Sequence, residues 1–200
     1  MGLREVKKER TRKAIEDAAI ALFAERGYQA TTVADIAAGA DIAPRTFFAY
    51  YRSKEDVLFG DAEQMFDELD AHLRARPPGE STFDALRRWI DEAMADEMHD
   101  DARERILRDI VAANESLQAR ERSLMGRFED LLATAVATAL GDEPAALRPR
   151  MVAAAAVAAL WCMRDGEDGG PADHDQALAQ LDEALAFLRA GTAALVDARA

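Results

Sequence analysis

Residues 32–51 of this 200-residue chain read TVADIAAGADIAPRTFFAYY. Thr32 is a favourable helix N-cap, and Asp35, three residues later, completes a pair that resembles a capping box. The apolar residues that follow predict a helix of about two turns, which residues 41–43 interrupt. Pro44 suits the first position of a second short helix, where its missing N–H costs nothing. The stretch therefore predicts a helix-turn-helix.

The second short helix is predicted to have a buried side and an exposed side. Phe47 and Tyr51 face inward in this prediction. The exposed residues are Arg45, Thr46, Phe48 and Tyr50. A short helix fits the major groove of DNA, where arginine can pair with guanine and an aromatic edge can contact a thymine methyl group. Paired short helices also occur in ordinary helical bundles, so this pattern alone leaves both interpretations open.

The rest of the chain also favours helices, and no stretch alternates as a strand would. One helix precedes the motif, and a fourth is predicted from Ser53 to about Leu73. Loops rich in glycine, proline or acidic residues separate five further helices. The fold class is therefore predicted to be all-α with about nine helices, divided into a three-helix domain at 1–52 and a larger domain at 53–200.

Charge is unevenly distributed along the chain. The whole sequence carries a net charge of -13, yet residues 4–13 hold six basic and two acidic side chains. This asymmetry is expected if one end of the protein meets a polyanion, and a solvated terminus is the simpler alternative. The single cysteine, Cys162, excludes an internal disulfide framework. With no apolar run of the roughly 20 residues that a membrane span needs, a cytoplasmic protein is expected.

The last two predicted helices carry apolar seams with coiled-coil spacing, which favours nearly parallel or antiparallel helix packing. A second subunit would cover these seams in a four-helix interface, and packing within one chain is the alternative. The predicted interface residues are Leu147, Met151, Ala154, Ala158, Leu178, Leu181, Leu185, Leu188 and Leu195.

Three runs carry a resemblance to a known family. They are Thr32–Ala37 (TVADIA), Pro44–Tyr51 (PRTFFAYY) and Ser53–Glu55 (SKE). Together they resemble the N-terminal signature of the tetracycline-repressor (TetR) family over residues 10–58. The resemblance implies a dimeric transcriptional regulator, usually a repressor, whose N-terminal helices bind double-stranded operator DNA. It also implies a helical C-terminal domain that dimerises and binds a small molecule, which releases the DNA.

The resemblance also implies roles for individual residues. Arg45 and Thr46 would meet base edges, and Tyr50 and Lys54 would bind phosphate. Thr32 would hold a phosphate at the amino end of the second helix. Phe48 stands where tyrosine is usual, so an apolar contact is expected. The basic residues 4–13 would form an arm that contacts the minor groove or the DNA backbone.

Three positions depart from the family pattern. Asp41 stands where glycine is usual in the turn, although aspartate tolerates a left-handed backbone better than most residues. Ala43 replaces the usual serine or threonine cap of the third helix, so that Asp41 caps it instead or the helix starts differently. Ala49 replaces a larger basic residue. These departures concern affinity and operator sequence.

A ligand-binding region is predicted from large apolar side chains on helices that should surround a central space. The candidates are Met65, Phe66, Leu69, Trp89, Ile90, Met94, Met98, Ile110, Phe128 and Trp161. Such residues suit apolar or aromatic ligands, although any one of them is more often plain core. The continuous fourth helix would act as a lever between ligand and DNA.

Two other classes of protein are alternatives to a regulator. An enzyme is disfavoured because the three histidines are far apart and the chain has no Gly-rich phosphate loop or HExxH motif. No metal site or cofactor is expected. The second alternative is a helical ligand-binding or scaffold dimer in which Asp41, Ala43 and Ala49 have weakened DNA binding.

Overall fold

The computed structural model describes residues 2–60, 62–77, 79–96, 101–164 and 174–197. Within these ranges the protein is all-α, as predicted, with ten helices and no strand. The helices are α1 (Leu3–Arg26), α2 (Val33–Gly39), α3 (Pro44–Phe47), α4 (Asp56–Phe59), α5 (Ala62–Arg74), α6 (Thr82–Asp96), α7 (Asp101–Ala112), α8 (Glu115–Leu140), α9 (Leu147–Arg164) and α10 (His174–Asp197). None of these described helices combines the length and the apolar character needed to cross a membrane.

The predicted fourth helix is not continuous. The chain leaves helical geometry at Gly60, which has φ 61° and ψ -156°, a conformation that glycine adopts far more easily than other residues. The result is two helices, α4 and α5. The prediction of one continuous helix from Ser53 to about Leu73 is therefore wrong, because the helix is interrupted at Gly60.

The chain forms two compact units. The first consists of Met1–Ala62 together with Asp100–Glu121, and the second of Glu63–His99 with Arg122–Ala200. The first unit thus extends beyond the 1–52 domain expected from the sequence, because α7 and the start of α8 join the N-terminal helices.

The first unit is organised around one apolar core. Residues from α1, α2, α3 and α7 are buried there, namely Ile15, Ala19, Phe23, Ile36, Phe47 and Ile110. Ile110 was predicted to line a ligand pocket, but it packs in this core instead. Polar contacts reinforce the packing of α7 on α1, since the Arg103 guanidinium donates to the carboxylates of Glu16 and Asp17.

The basic N-terminal residues belong to a helix. α1 begins at Leu3 and runs unbroken to Arg26, and its side chains from Arg4 to Arg10 are exposed. The arm expected over residues 4–13 is thus a helical extension of α1 with a positively charged surface.

In the second unit, α9 and α10 form an antiparallel pair. The Nη1 of Arg148, at the start of α9, donates to the Leu195 carbonyl near the end of α10 at 2.9 Å. α6 packs on α10 as well, where the Arg87 Nε donates to Asp182 at 2.7 Å. Leu181, Leu185 and Leu188 of α10 are buried within the protomer by these neighbours.

Candidate nucleic-acid interface

The start of α2 is held by the predicted capping box. The Asp35 N–H donates to the Thr32 hydroxyl at 3.2 Å, and the Thr32 N–H donates to the Asp35 carboxylate at 2.9 Å. The hydrogen bonds from the Thr32 side chain and backbone lower the pKa of Asp35. The Thr32 hydroxyl also donates to the Asp35 carboxylate, so both hydrogen-bond donors of Thr32 bind the same acceptor. A phosphate at this position would have to compete with Asp35 for these donors.

The turn after α2 is a Schellman motif. The Ile42 N–H donates to the Ala37 carbonyl at 2.9 Å, and the Asp41 N–H donates to the Ala38 carbonyl at 3.2 Å. Asp41 has φ 54°, and it is the one non-glycine residue with positive φ in the part of the chain that the structure describes. The left-handed conformation expected at Asp41 is confirmed.

Asp41→Gly is expected to raise the free energy of unfolding by about 0.5–1 kcal/mol. Glycine removes the steric cost of the left-handed backbone, and the greater freedom of glycine in the unfolded chain offsets part of this gain. Asp41→Ala should lower the same quantity by about 1 kcal/mol. Urea denaturation of the three proteins is the measurement, and equal stability of the glycine and alanine variants would contradict it.

No side chain caps α3. Ala43 is the N-cap residue, with the extended backbone typical of that position, and Pro44 follows at the first helical position. The Thr46 N–H donates to the Ala43 carbonyl at 2.8 Å, without a side-chain acceptor at the cap. Asp41 therefore does not substitute for the missing cap, and α3 begins where the sequence predicted.

α3 has a buried side and an exposed side, but the helix ends at Phe47, so Phe48 and Tyr50 of the predicted exposed set lie just after it. Phe47 is fully buried and Tyr51 nearly so, with their ring centroids 5.8 Å apart. Arg45 and Phe48 are exposed, the latter to 58%. Thr46 and Tyr50 are half-buried. The aromatic pair inside fixes the helix, while the exposed positions offer one cation and one aromatic ring.

A basic surface lies beside the turn. Arg4, Lys7, Arg10 and Thr11 of α1 line an open concave surface together with residues 40–42. Asp41 is the single acidic residue among its lining residues. The helical extension of α1 therefore places positive charge next to the helix-turn-helix.

Lys54, which was expected to bind phosphate, instead makes hydrogen bonds within the first unit. Its ammonium donates to the carbonyls of Tyr28 at 2.7 Å and Thr31 at 2.9 Å, and it lies 4.2 Å from the centroid of the Tyr28 ring. The loop between α1 and α2 is thereby tied to the segment before α4. Two of the three ammonium hydrogens are used, which leaves at most one for a phosphate.

Tyr28 reinforces the same connection. Its hydroxyl donates a hydrogen bond to the Glu55 carboxylate. Burial, together with this bond, raises the pKa of Tyr28 well above its ordinary value. Burial alone would raise the pKa of Glu55, but hydrogen bonds from Tyr28, its own backbone and Ser53 outweigh it, so the pKa lies below its ordinary value.

Lys54→Met is expected to lower the free energy of unfolding by about 1–3 kcal/mol. Two carbonyls lose a charged donor, while methionine keeps most of the side-chain length. Lys13→Met, at an exposed position of α1, is the matched control and should change stability by less than about 0.5 kcal/mol. If thermal unfolding shows that both variants are as stable as the parent, Lys54 has no structural role.

Two polar residues of this unit were not found from the sequence. Glu16 accepts from the Tyr51 hydroxyl and from Arg103. Arg12 pairs with Glu16 and lies over the Tyr51 ring. An i, i+4 spacing on α1 was the one local signal for the Arg12–Glu16 pair.

The structure brings together part of the predicted ligand-binding set. Phe66, Leu69 and Phe128 are buried in the second unit, and the rings of Phe66 and Phe128 stack with centroids 6.5 Å apart. The Arg127 guanidinium lies 5.1 Å from the Phe66 centroid. Of the other candidates, Met65 is exposed and three are half-buried, namely Trp89, Ile90 and Trp161. The Met94 side chain and Met98 lie outside the described residues.

The two predicted interface seams differ in exposure. The α9 seam is open to solvent: Leu147 is 73% exposed, Met151 54%, and Ala154 and Ala158 are also exposed. On α10, Leu181, Leu185 and Leu188 are buried inside the protomer and Leu178 and Leu195 half-buried. The assignment of the three buried leucines to a subunit interface is therefore wrong. Phe187 of α10, which is not among the predicted interface residues, is 72% exposed.

No group of three acidic, histidine or cysteine side chains suited to a metal ion occurs among the residues that the structure describes. The polar groups of the first unit instead make ion pairs and hydrogen bonds between helices. This arrangement can bind a polyanion at its basic surface.

Comparison with known proteins finds a family match within the first unit. The model of the family "Bacterial regulatory proteins, tetR family" matches residues 15–60. TcmR, an HTH-type transcriptional regulator of Streptomyces glaucescens, is 39% identical over 85 residues, which cover 42% of this chain and 38% of TcmR. The match thus spans well under two thirds of that relative.

A second relative matches over a longer region. MftR of Mycobacterium tuberculosis, a transcriptional regulator assigned to mycofactocin biosynthesis, is 30% identical over 146 residues, or 70% of each chain. Among solved structures, SmeT of Stenotrophomonas maltophilia in complex with triclosan has a TM-score of 0.59 and 24% identity, covering 88% of this chain and 90% of SmeT. The likeness to SmeT concerns the fold.

Proposed function

The chain belongs to the TetR family of bacterial transcriptional regulators, and we propose that it is a ligand-released repressor that binds a palindromic operator as a homodimer. The observation that supports this most directly is the geometry of α3. Its buried face rests on Phe47, and its outer face presents Arg45 and Phe48 beside a basic surface.

Base recognition is proposed for the exposed positions of α3. Arg45 would pair with the O6 and N7 acceptors of a guanine, and Thr46 would hydrogen-bond a neighbouring base edge. Phe48 would contact a thymine methyl group, since its ring is exposed and has no hydroxyl.

Phosphate binding is proposed for Tyr50 and for the basic face of α1. Tyr50 is half-buried in the turn that follows α3, and Arg4, Lys7 and Arg10 line the concave surface beside the turn after α2. Such contacts position a protein on the duplex without reading its sequence. Thr32 and Lys54 are proposed to contribute less to phosphate binding. Thr32 already donates to Asp35, and Lys54 already donates to two loop carbonyls.

Dimerisation is proposed through the exposed seam of α9. A second copy would cover Leu147, Met151, Ala154 and Ala158, with Phe187 of α10 at the same interface. A twofold dimer would present two α3 helices to half-sites about 34–36 Å apart, or a multiple of that distance.

Selection of bound DNA from a random duplex library, at near-physiological salt, tests this function. A palindrome with half-sites spaced for a twofold dimer is the expected result. Failure to enrich any sequence, with a folded dimer shown by sedimentation, would favour the alternative of a scaffold dimer that has lost DNA binding.

Arg45→Ala is expected to relax the base preference at one position of each half-site, at a cost of about 1–3 kcal/mol in discrimination. The reason is that a contact to a base edge depends on the base, whereas a phosphate contact does not read sequence directly. Repeating the selection with this variant measures the effect. Arg74→Ala, which removes an exposed cation of the second unit, is the control and should leave the preference unchanged. Uniform weakening on all sequences would assign Arg45 to phosphate.

Release by ligand is proposed to start in the second unit, at the buried rings of Phe66 and Phe128. An apolar or aromatic molecule would fit between such side chains. Coupling between a ligand and DNA is usually worth 1–3 kcal/mol, or about 5–150-fold in affinity. The selected operator supplies the probe, and loss of bound DNA on addition of aromatic compounds is the expected result.

A further inference from the structure

A cleft in the second unit is lined by residues other than the predicted ligand-binding residues that the structure describes. It lies between the start of α6, the end of α8 and the last turns of α10, and its volume is about 270 Å³. The lining residues are Ser81, Thr82, Phe83, Asp84, Val136, Ala139, Arg189, Thr192, Ala193 and Val196. This volume is slightly below the range for drug-sized ligands, so the cleft suits a small molecule.

The walls of the cleft are mainly apolar. Phe83 and Val136 are buried and form part of the wall, and Ala193 and Val196 leave apolar surface exposed on α10. Covering such apolar surface with a hydrocarbon chain or ring removes it from water, which contributes favourably to the free energy of binding.

Arg189 is the only cation among the lining residues. Its Nη2 lies 3.2 Å from the Oδ1 of Asp84, whereas its Nε is enclosed and has no hydrogen-bond acceptor among the residues that the structure describes. The side chain as a whole is 39% exposed. A buried N–H without an acceptor is unfavourable, so this guanidinium is incompletely satisfied.

The other polar groups of the cleft are already engaged. The Ser81 hydroxyl donates to the Asp84 Oδ2 at 2.7 Å, and the Asp84 N–H donates to that hydroxyl at 3.1 Å. The Thr192 hydroxyl donates to the Leu188 carbonyl at 2.8 Å. The guanidinium of Arg189 is therefore the polar group of the cleft that can select a ligand by its charge.

We propose that this cleft binds a small monocarboxylate with an apolar chain or ring. Nε and one Nη of Arg189 lie side by side on one edge of the planar guanidinium, which is the geometry that two carboxylate oxygens accept, and a rotation of the side chain would open this edge to the cleft. The hydrocarbon part lies against Phe83, Val136 and Val196. A more highly charged anion would meet stronger repulsion from Asp84 and leave the apolar walls uncovered.

Titration of the full chain with octanoate, followed through its ¹³C-labelled alanine and valine methyl groups, tests the site. Octanamide is the matched neutral probe. Saturable shifts of the Val136, Ala139, Ala193 and Val196 methyls are expected with octanoate. Shifts confined to other methyls would overturn the proposal. The titration contains no DNA, so its outcome is independent of operator binding.

Two arginine variants separate the proposed role of Arg189 from general packing. Arg189→Met is expected to weaken octanoate binding at least about tenfold and octanamide binding by less than about threefold. Arg87→Met is the control, because Arg87 also joins α6 to α10 through Asp182 but does not line the cleft. Equal affinity of octanoate for the parent and Arg189→Met would show that the carboxylate does not bind there.

A narrowing variant covers the case in which Arg189→Met does not fold. Ala193 is exposed on α10, so Ala193→Leu should fold while its side chain occupies part of the cleft. Both probes are then expected to lose at least about tenfold in affinity. Octanoate binding to Ala193→Leu as tightly as to the parent would place the ligand elsewhere and refute the proposal.

Discussion

Phe47→Ala is expected to lower the free energy of unfolding of the first unit by about 3–5 kcal/mol. The Phe47 ring is fully buried in the core that α1, α2 and α7 share, and it contacts Phe48 and Tyr51 at centroid distances of 5.5 and 5.8 Å. Alanine would leave a cavity that these helices cannot close. Native proteins have a total free energy of unfolding of only about 5–15 kcal/mol, so the expected loss is a large fraction of the total.

The loss should extend to DNA binding, because Phe47 fixes the helix that carries Arg45. Urea denaturation, followed by near-ultraviolet circular dichroism, measures stability, and operator binding is measured on the same samples. Phe48→Ala is the matched control: this neighbouring ring is 58% exposed, so stability should change by less than about 0.5 kcal/mol while DNA binding weakens. If Phe48→Ala were less stable than Phe47→Ala, the result would contradict the observed packing.

Met151→Glu combined with Leu147→Glu is expected to weaken dimerisation at least about 100-fold. The two positions are 54% and 73% exposed in the protomer, so the changes should leave its folding almost intact. In a twofold dimer they place four carboxylates at an apolar interface, where desolvation and like-charge repulsion together cost several kcal/mol.

Sedimentation equilibrium measures the effect, and binding to the full palindrome should fall with it, because one protomer contacts only one half-site. Thr138→Glu, an exposed position on α8, is the control and should leave the dimer unchanged. A double variant that still dimerises as the parent does would place the interface on another surface.

Features that depend on residues close in sequence were predicted well. The Thr32–Asp35 capping box, the left-handed Asp41 and the start of α3 at Pro44 each involve groups within a few residues of one another. Capping, turn geometry and the fixed φ of proline act through such short separations, so composition and spacing reveal them. The alternation of buried Phe47 with exposed Arg45 and Phe48 follows from the same local period.

Features that depend on distant residues were not predicted. Lys54 binds carbonyls 23 and 26 residues away, and nothing in the SKE run distinguishes this from a phosphate contact. The break at Gly60 was missed because a single glycine is tolerated within a helical pattern. α7 joins the first unit through Ile110 and Arg103, although a linear reading assigned it to the second.

The sequence was sufficient to predict the all-α class, the helix-turn-helix and the family resemblance, because helix periodicity and caps are encoded by neighbouring side chains. Only the tertiary structure determined which of the two apolar seams is buried within the protomer. The seams of α9 and α10 have the same spacing, yet α10 buries Leu181, Leu185 and Leu188 while α9 leaves Leu147 and Met151 exposed. A periodic pattern shows that a face is apolar, but only packing in three dimensions determines what covers it.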